Sequence, residues 1–120
     1  MRVLIADDNK NVRELIKKIL LNTQMNVELL EAIDGEDAIS IFQKKRPDLI
    51  LMDIVMAPVD GLAATRKIIS MNPLTKIIIV SQHPEEEYKR EAFACGAIEY
   101  CNKENLSAIP SMIEKYLQTK

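Results

Sequence analysis

The chain has 120 residues, of which 48% are hydrophobic, and a formal net charge of −2, which predicts one globular domain over residues 1–120. It has no basic stripe and no apolar run near the roughly 20 residues that cross a bilayer, so we expect neither nucleic-acid binding by this domain nor a membrane span. A strand pattern starts at the N-terminus and leaves no room for a signal peptide, which predicts a cytoplasmic protein with Cys95 and Cys101 as reduced, buried thiols.

Strand and helix patterns alternate five times along the chain. The first strand is expected near residues 2–6 and the first helix near residues 10–21, with Asn9 as its N-cap. The apolar positions of this helix recur at helical spacing: Val12, Leu15, Ile16, Ile19 and Leu20. The second strand covers about residues 26–31, and Asp34–Gly35 then turns the chain into the second helix.

The middle of the chain continues the same alternation. Pro47 ends the second helix and introduces the third strand, residues 48–52. The third helix is expected over residues 61–71. The fourth strand, residues 76–80, is largely β-branched, as expected of a strand covered on both faces. Pro84, followed by three glutamates, predicts the start of the fourth helix.

The last elements complete an α/β pattern. Gly96 ends the fourth helix, and the fifth strand is expected near residues 97–101. Ser107 is the predicted cap of the last helix, and Pro110 falls in its first turn, where the missing N–H does no harm. The (βα)₅ order predicts right-handed crossovers and a flavodoxin-like three-layer sandwich, with a parallel sheet of order 2-1-3-4-5.

Three carboxylates follow two of the predicted strands. Asp53 ends the third strand, and Asp7 and Asp8 follow the first. Because the carboxyl ends of parallel strands meet at one edge, we expect these side chains to lie close together. Carboxylates repel one another unless a cation lies among them, and hard oxygen ligands with room for water and phosphate suit Mg²⁺. The pattern therefore predicts, in outline, a phosphoryl-transfer site.

Several short fragments resemble the receiver domain of two-component response regulators (CheY-like). These fragments are Asp7–Asp8, residues 31–38, residues 45–53, Met56, Asp60–Gly61, Ser81, Gly96–Ala97, Tyr100 and Lys103. Each fragment alone is common, whereas their order and spacing together are specific, and the resemblance runs the whole length of the chain. Residues 87–103 more weakly resemble receivers attached to LuxR-type helix-turn-helix output domains.

The resemblance implies a role for each acidic residue of the cluster. Asp53 takes the place of the phosphoryl acceptor, and a carboxylate needs no base at neutral pH because it is already ionised. Mg²⁺ would be held by Asp8, Asp53 and the backbone carbonyl of Val55. Asp7 would act on the metal directly or through a bound water.

Further residues take positions that the resemblance assigns to phosphoryl binding and signalling. Lys103 would pair with one phosphoryl oxygen, and the Ser81 hydroxyl would bond another. Movement of Ser81 would let the Tyr100 ring turn inward and reshape the face made by helix 4, strand 5 and helix 5.

The same resemblance implies partners for this face and for the acceptor. The phosphoryl group would come from a histidine kinase or phosphotransfer protein. The face would control an output domain or effector protein, and it would also serve as a homodimer contact. A stand-alone receiver and a part of a longer transcription regulator both fit the sequence.

Three positions depart from the family pattern. Ala57 stands where a proline is usual, with Pro58 one residue later, so the loop after the third strand is expected to follow a different path. Gln82 stands where small residues are common, and its bulk would restrict access to the acceptor. Glu104 follows Lys103 where many receivers carry a cis-proline, and a cis bond is far less favourable before glutamate.

Two other functions fit parts of the sequence. A receiver-fold binding module that no longer depends on phosphorylation is suggested by Ala57 and Gln82, although the complete set of acids argues against it. A Mg²⁺ phosphohydrolase of the haloacid dehalogenase-like type needs a second acid two residues after the nucleophile, and Val55 occupies that position. We therefore expect a protein that is not an enzyme turning over small substrates.

Single residues of the set also have simpler interpretations. Asp7–Asp8 alone would be read as a capped, solvated turn, and Lys103 and Ser81 as ordinary surface residues. Tyr100 in a strand is more often a packing residue than a switch. His83 has no partner motif, and we interpret it as a loop residue. The functional interpretation depends on the combination.

Overall fold

The computed structural model describes residues 1–82 and 86–117, in which strands and helices alternate as predicted. The strands are β1 (Arg2–Ala6), β2 (Glu28–Ala32), β3 (Leu49–Met52), β4 (Lys76–Ser81) and β5 (Glu99–Asn102). The helices are α1 (Lys10–Leu21), α2 (Gly35–Lys45), α3 (Gly61–Met71), α4 (Glu86–Ala94) and α5 (Ile109–Leu117), with a 3₁₀ segment (Lys103–Ala108) before α5.

The five strands form one parallel sheet in the order β2-β1-β3-β4-β5. This confirms the predicted α/β fold and strand order. β1 lies between β2 and β3, and its last residue, Ala6, is opposite both Ala32 and Met52. At the far side of β4, Ser81 is opposite Asn102 of β5. The residues that follow these strands therefore lie along one edge of the sheet.

Alternating side chains of the central strands fill two separate cores. Leu4 of β1 and Ile50 of β3 pack with α2, α3 and α4 on one face of the sheet. Val3 and Leu51 pack with α1 and α5 on the other face. Successive strand residues point to opposite faces, so a strand covered by helices on both sides is apolar throughout. The helices on both faces confirm the three-layer architecture.

Polar caps at the sheet edge start three of the helices. The side chain of Asn9 accepts from the Asn11 backbone N–H at 2.8 Å at the start of α1, as predicted. Asp34 caps α2 and Asp60 caps α3 in the same way. Each cap satisfies backbone donors that have no partner inside the helix, and so fixes where the helix begins.

β2 and β5 each start two residues later than predicted, whereas β3 starts and β4 ends only one residue later than predicted. β2 begins at Glu28 instead of residue 26, because its partner β1 begins at Arg2, which is opposite Glu28. β5 runs from Glu99 to Asn102 instead of over residues 97–101. Its start is later because the Ala97 N–H still bonds to a carbonyl of α4, and its end is set by pairing with β4.

The predicted cap of the last helix is wrong. Ser107 lies inside the 3₁₀ segment, where its hydroxyl bonds to the Asn105 side chain at 3.4 Å, and α5 begins at Ile109. The cap in this region is Asn102, at the start of the 3₁₀ segment. Pro110 does lie in the first turn of α5, as predicted.

Some predictions lie outside the described residues. The loop assignment of His83 and the helix start at Pro84 are among them. Within residues 1–82 and 86–117, no helix is long and apolar enough to cross a membrane.

Candidate functional site

Three carboxylates meet at the carboxyl edge of β1 and β3. One oxygen each from Asp7, Asp8 and Asp53 lies within 4.8 Å of the others. The sheet brings them together because the Asp53 N–H donates to the Ala6 carbonyl at 2.9 Å, directly beside Asp7. Asp7 and Asp53 are buried, whereas Asp8 is exposed. The acidic cluster predicted from the strand ends is therefore present.

Lys103 reaches this cluster from the end of β5. Its Nζ lies 2.9 Å from Asp7 Oδ2 and 3.2 Å from Asp53 Oδ1, and its side chain is only 12% exposed. A buried ammonium is costly unless it is paired, and here it has two carboxylate partners. The structure thus joins four of the predicted site residues.

Negative charge exceeds positive charge at this site. Burial and, after it, the neighbouring Asp7 carboxylate raise the pKa of Asp53 to about 6, and Lys103 opposes this rise only in part. Burial alone would lower the pKa of Lys103, but its bonds to Asp7 and Asp53 outweigh that effect and raise the pKa. A site with three carboxylates and one ammonium favours a further cation. Carboxylate oxygens are hard ligands of the kind that Mg²⁺ prefers.

Asp7 is held by partners on every side. Its Oδ1 accepts from the Asn9 N–H at 2.8 Å, and its own N–H donates to the Ala32 carbonyl at 3.1 Å. Oδ2 is the atom that binds Lys103. Asp7 is therefore fixed in place, whereas Asp8 is exposed beside the opening of the site.

Two glycines hold the loop that follows Asp53. The Gly61 N–H donates to the Ile54 carbonyl at 2.8 Å, and the Gly35 N–H donates to the Val59 carbonyl at 3.0 Å. A Cβ on Gly61 would overlap the Asp53 carbonyl, and a Cβ on Gly35 would overlap that of Val59. Only glycine permits this close approach of two backbones. The sequence predicted a turn at Gly35 but assigned no role to Gly61.

An open cavity of about 230 Å³ lies over the cluster. It is lined by Asp8, Asn9, Asp53, Val55, Gln82 and Lys103. Val55 and Gln82 are both exposed at its rim, so one of the three departures from the family pattern, Gln82, borders the access to Asp53. The Ala57–Pro58 peptide bond in the neighbouring loop is cis.

Ser81 and Tyr100 are not among the residues that line the cavity. Ser81 is fully buried at the end of β4, and among the described residues it is Gln82 that lines the cavity. Tyr100 is 8% exposed and packs in the core beside α2, α3 and α4, with Lys89 Nζ 5.9 Å from its ring centroid. The predicted switch roles of Ser81 and Tyr100 remain predictions.

The turn that carries Lys103 has its own cap. The Asn102 side chain accepts from the Glu104 N–H at 2.8 Å, across the residue between them. A proline at position 104 would have no N–H to donate. The departure at Glu104 therefore supplies one of the bonds that shape the turn.

Comparison with known proteins assigns the chain to a family. Residues 3–114 match the response regulator receiver domain family. The chain belongs to this family of two-component signalling domains.

Several relatives of this receiver domain are transcriptional regulatory proteins about twice as long as the chain. It is 36% identical over 104 residues to the transcriptional regulatory protein DegU of Brevibacillus brevis, covering 87% of the chain and 44% of DegU. It is also 36% identical over 102 residues to protein CcdB of Bacillus subtilis, covering 85% and 84%. A LuxR-family response regulator from Aurantimonas superposes with a TM-score of 0.90 at 26% identity, covering 99% and 86%. The chain spans about half the length of curated relatives such as DegU.

Sequence reasoning missed three features of this receiver domain. Gly61 and Asn102 position backbone around Asp53 and Lys103, and Arg13 contacts the backbone of Asp7. The Asp-Gly pair before α3 was a usable signal for Gly61. For Arg13 there was none, because an arginine on a helix surface is most simply read as solvated.

Proposed function

We propose that Asp53 accepts a phosphoryl group from the phosphohistidine of a histidine kinase or phosphotransfer protein, in a receiver domain formed by residues 1–120. The observation that carries this proposal is the meeting of Asp7, Asp8 and Asp53 with Lys103 under an open cavity. Membership of the receiver family supports the same assignment.

The acidic cluster suits a resident Mg²⁺. We infer that Asp8, Asp53 and the backbone carbonyl of Val55 would hold the ion, with Asp7 acting directly or through a water. The donor set fits because it consists of carboxylate and carbonyl oxygens, and because burial and the neighbouring Asp7 carboxylate raise the pKa of Asp53, so that a cation beside it would be favourable. When bound, the ion supplies positive charge beside the phosphoryl oxygens.

The chain's own groups account for the rest of the transfer. A carboxylate oxygen of Asp53 forms a bond to phosphorus while the bond between phosphorus and the donor's imidazole nitrogen breaks, and the imidazole keeps the electron pair. Lys103 exchanges its contact with Asp53 for a phosphoryl oxygen, since its Nζ already lies 3.2 Å from the acceptor. The Ser81 hydroxyl bonds another phosphoryl oxygen.

Signalling would follow from the movement of Ser81. Displacement of the loop after β4 lets Tyr100 settle in a new position and changes the face made by α4, β5 and α5. That face would contact an output domain of the LuxR type, an effector protein or a second copy of the chain. We infer a cytoplasmic signalling role in which the chain modifies only itself and turns over no small substrate.

Intact-mass analysis after incubation with Mg²⁺ and acetyl phosphate tests the assignment. The wild type is expected to gain the mass of one phosphoryl group, and neither Asp53→Asn nor wild type in EDTA is expected to gain it. Lys103→Met should still bind Mg²⁺ but label far more slowly, because one positive group at the phosphoryl oxygens is lost.

Two negative results of this experiment would have different causes. If Mg²⁺ binds and no adduct forms, the exposed Gln82 at the cavity rim is the first suspect, and Gln82→Ala should restore labelling. If neither Mg²⁺ nor the phosphoryl group binds, the chain acts as a phosphorylation-independent binding module.

A further inference from the structure

Arg13, on the second turn of α1, connects the acidic cluster to β2. Its Nη1 donates to the backbone carbonyl of Asp7 at 2.7 Å, and its Nε donates to Glu31 Oε1 at 2.9 Å. The side chain is 12% exposed, so the guanidinium is held in this position with little access to water. A planar guanidinium can serve two acceptors at once with fixed geometry.

Glu31 is anchored on its other side by Lys17. The Lys17 Nζ lies 3.0 Å from Glu31 Oε2 and 3.2 Å from Glu14 Oε1. The hydrogen bond from Lys17, followed by that from Arg13, lowers the pKa of Glu31 despite its partial burial. Glu31 is therefore a charged anchor that fixes the guanidinium, and it lies on β2 directly opposite Ile5 of β1.

The carbonyl that Arg13 binds belongs to the peptide group that joins Asp7 to Asp8. Every other polar group of Asp7 already has a partner: Lys103, the Asn9 N–H or the Ala32 carbonyl. The bond from Arg13 thus fixes the plane of the peptide from which the exposed Asp8 projects.

We propose that Arg13 is a positioning residue that holds the Asp7–Asp8 peptide in the orientation that Mg²⁺ binding requires. This inference rests on the proposed function, because it takes Mg²⁺ as the ligand of the cluster. Two simpler roles compete with it. In one, the guanidinium acts only as a cation near the acids. In the other, it only ties α1 to β2.

The sign of the effect on Mg²⁺ affinity separates these roles. A nearby cation repels Mg²⁺, so removing it should tighten binding if charge is all that matters. Loss of a positioning bond should weaken binding instead. A tie between α1 and β2 would change stability in the same way whichever part of the network is cut.

Calorimetric titration of Mg²⁺ into wild type, Arg13→Met, Arg13→Lys and Lys17→Met tests the proposal. Lys17→Met is the matched control, because it removes a cation from the same network without touching Asp7. We expect Arg13→Met to weaken Mg²⁺ binding about tenfold or more, as for loss of a bond to a charged group. Arg13→Lys should also weaken it, since one ammonium cannot reproduce the two-pronged contact. Lys17→Met should stay within about twofold of wild type.

All titrations are made at a temperature where circular dichroism shows each variant to be fully folded. Unchanged or tighter binding by Arg13→Met would overturn the positioning role while leaving the proposed function intact. Equal weakening in Arg13→Met and Lys17→Met would overturn it in favour of a purely structural tie. Failure of the wild type to bind Mg²⁺ would instead contradict the metal site of the proposed function, and the positioning role with it.

Discussion

At Asp53, burial and two neighbouring acids act against the charged form, while one ammonium favours it. The net result is a pKa of about 6, against an ordinary value of 3.8. An acid whose pKa is raised by folding destabilises the folded state wherever it is ionised in both states. Ionised Asp53 therefore lowers the stability of the metal-free protein at neutral pH.

Asp53→Asn is expected to raise the melting temperature in EDTA at about pH 7.5. The penalty of the ionised acid is fully present above the folded pKa and disappears below the unfolded one, so the difference between variant and wild type should shrink toward about pH 4. A shift of roughly two units corresponds to about 3 kcal/mol at most. Differential scanning calorimetry at both pH values measures it.

Glu114→Gln, an exposed position of α5, controls for the loss of one negative charge. Its melting temperature should change little at either pH. A variant at Asp53 that is no more stable than wild type at neutral pH would contradict the raised pKa.

The meeting of acidic residues at strand ends could be predicted from the sequence, whereas contacts to backbone groups distant along the chain could not. Asp7, Asp8 and Asp53 were predicted to meet because parallel strands end at one edge, and they do meet. Arg13 bonds a carbonyl six residues earlier and a carboxylate on another strand. Both contacts depend on how α1 lies against β2, which no local pattern encodes.

Among the elements, the turn after β5 decides where Lys103 points. Asn102 pairs in the sheet with Ser81, and its side chain closes a turn around Lys103 by accepting from the Glu104 N–H. Asparagine is among the residues that favour such caps. The turn is therefore specified locally, by residues on both sides of the lysine.

Asn102→Ala is expected to cost about 1 kcal/mol in unfolding free energy, the usual value of such a cap. It should also slow labelling of Asp53 by acetyl phosphate, because Lys103 is held less firmly. Asn102→Asp keeps the acceptor and should behave like wild type. In a Glu104→Pro background the N–H is absent, so Asn102→Ala should add no further effect. Urea unfolding and labelling rates of the four variants measure this, and full additivity would contradict the bond.

Gly61→Ala is expected to destabilise the protein by about 3 kcal/mol or more, because the added methyl group overlaps the Asp53 carbonyl. Mg²⁺ affinity should fall as well, since the displaced backbone belongs to Asp53, a proposed ligand of the ion. Ser70→Ala, at an exposed position of the same helix, should change stability by at most about 0.5 kcal/mol. Urea unfolding curves compare the two, and similar midpoints would contradict the close packing.

Element types were predictable from hydrophobic periodicity, but some of their ends were not. β2 starts at Glu28 because its partner strand starts at Arg2, and a partner's start is invisible in a local pattern. Ser107 looked like a cap because it precedes the periodic residues of the last helix. The chain instead leaves β5 through a 3₁₀ segment, interrupted at Asn105 by a non-helical conformation.

In the whole molecule, one sheet separates two cores that share the same strands. The core beside α1 and α5 contains Ile16, and the core beside α2, α3 and α4 contains Ile68. Neighbouring residues of β1 and β3 enter opposite cores, so neither core can be lost while the sheet remains intact. We expect the molecule to unfold in one cooperative step.

Ile16→Val and Ile68→Val form a matched pair for this prediction, because both side chains are almost completely buried. Each should cost about 1 kcal/mol. Each should also move the whole urea transition, seen identically by circular dichroism and by tyrosine fluorescence. A variant that splits the transition, or moves only one of the two signals, would show that the cores unfold separately.

The strand order also decides when the site can first exist. β1, near the start of the chain, forms the middle of the sheet, and the cluster that includes its Asp7 is completed by Lys103, close to the end of the described residues. A chain emerging from the ribosome has all three acids long before it has the ammonium that compensates them. Pairings between residues distant in sequence form late, because closing long loops costs entropy. If Asp53 is the acceptor as proposed, its labelling by a phosphodonor would require a fully folded chain, and a nascent or misfolded chain would not be labelled.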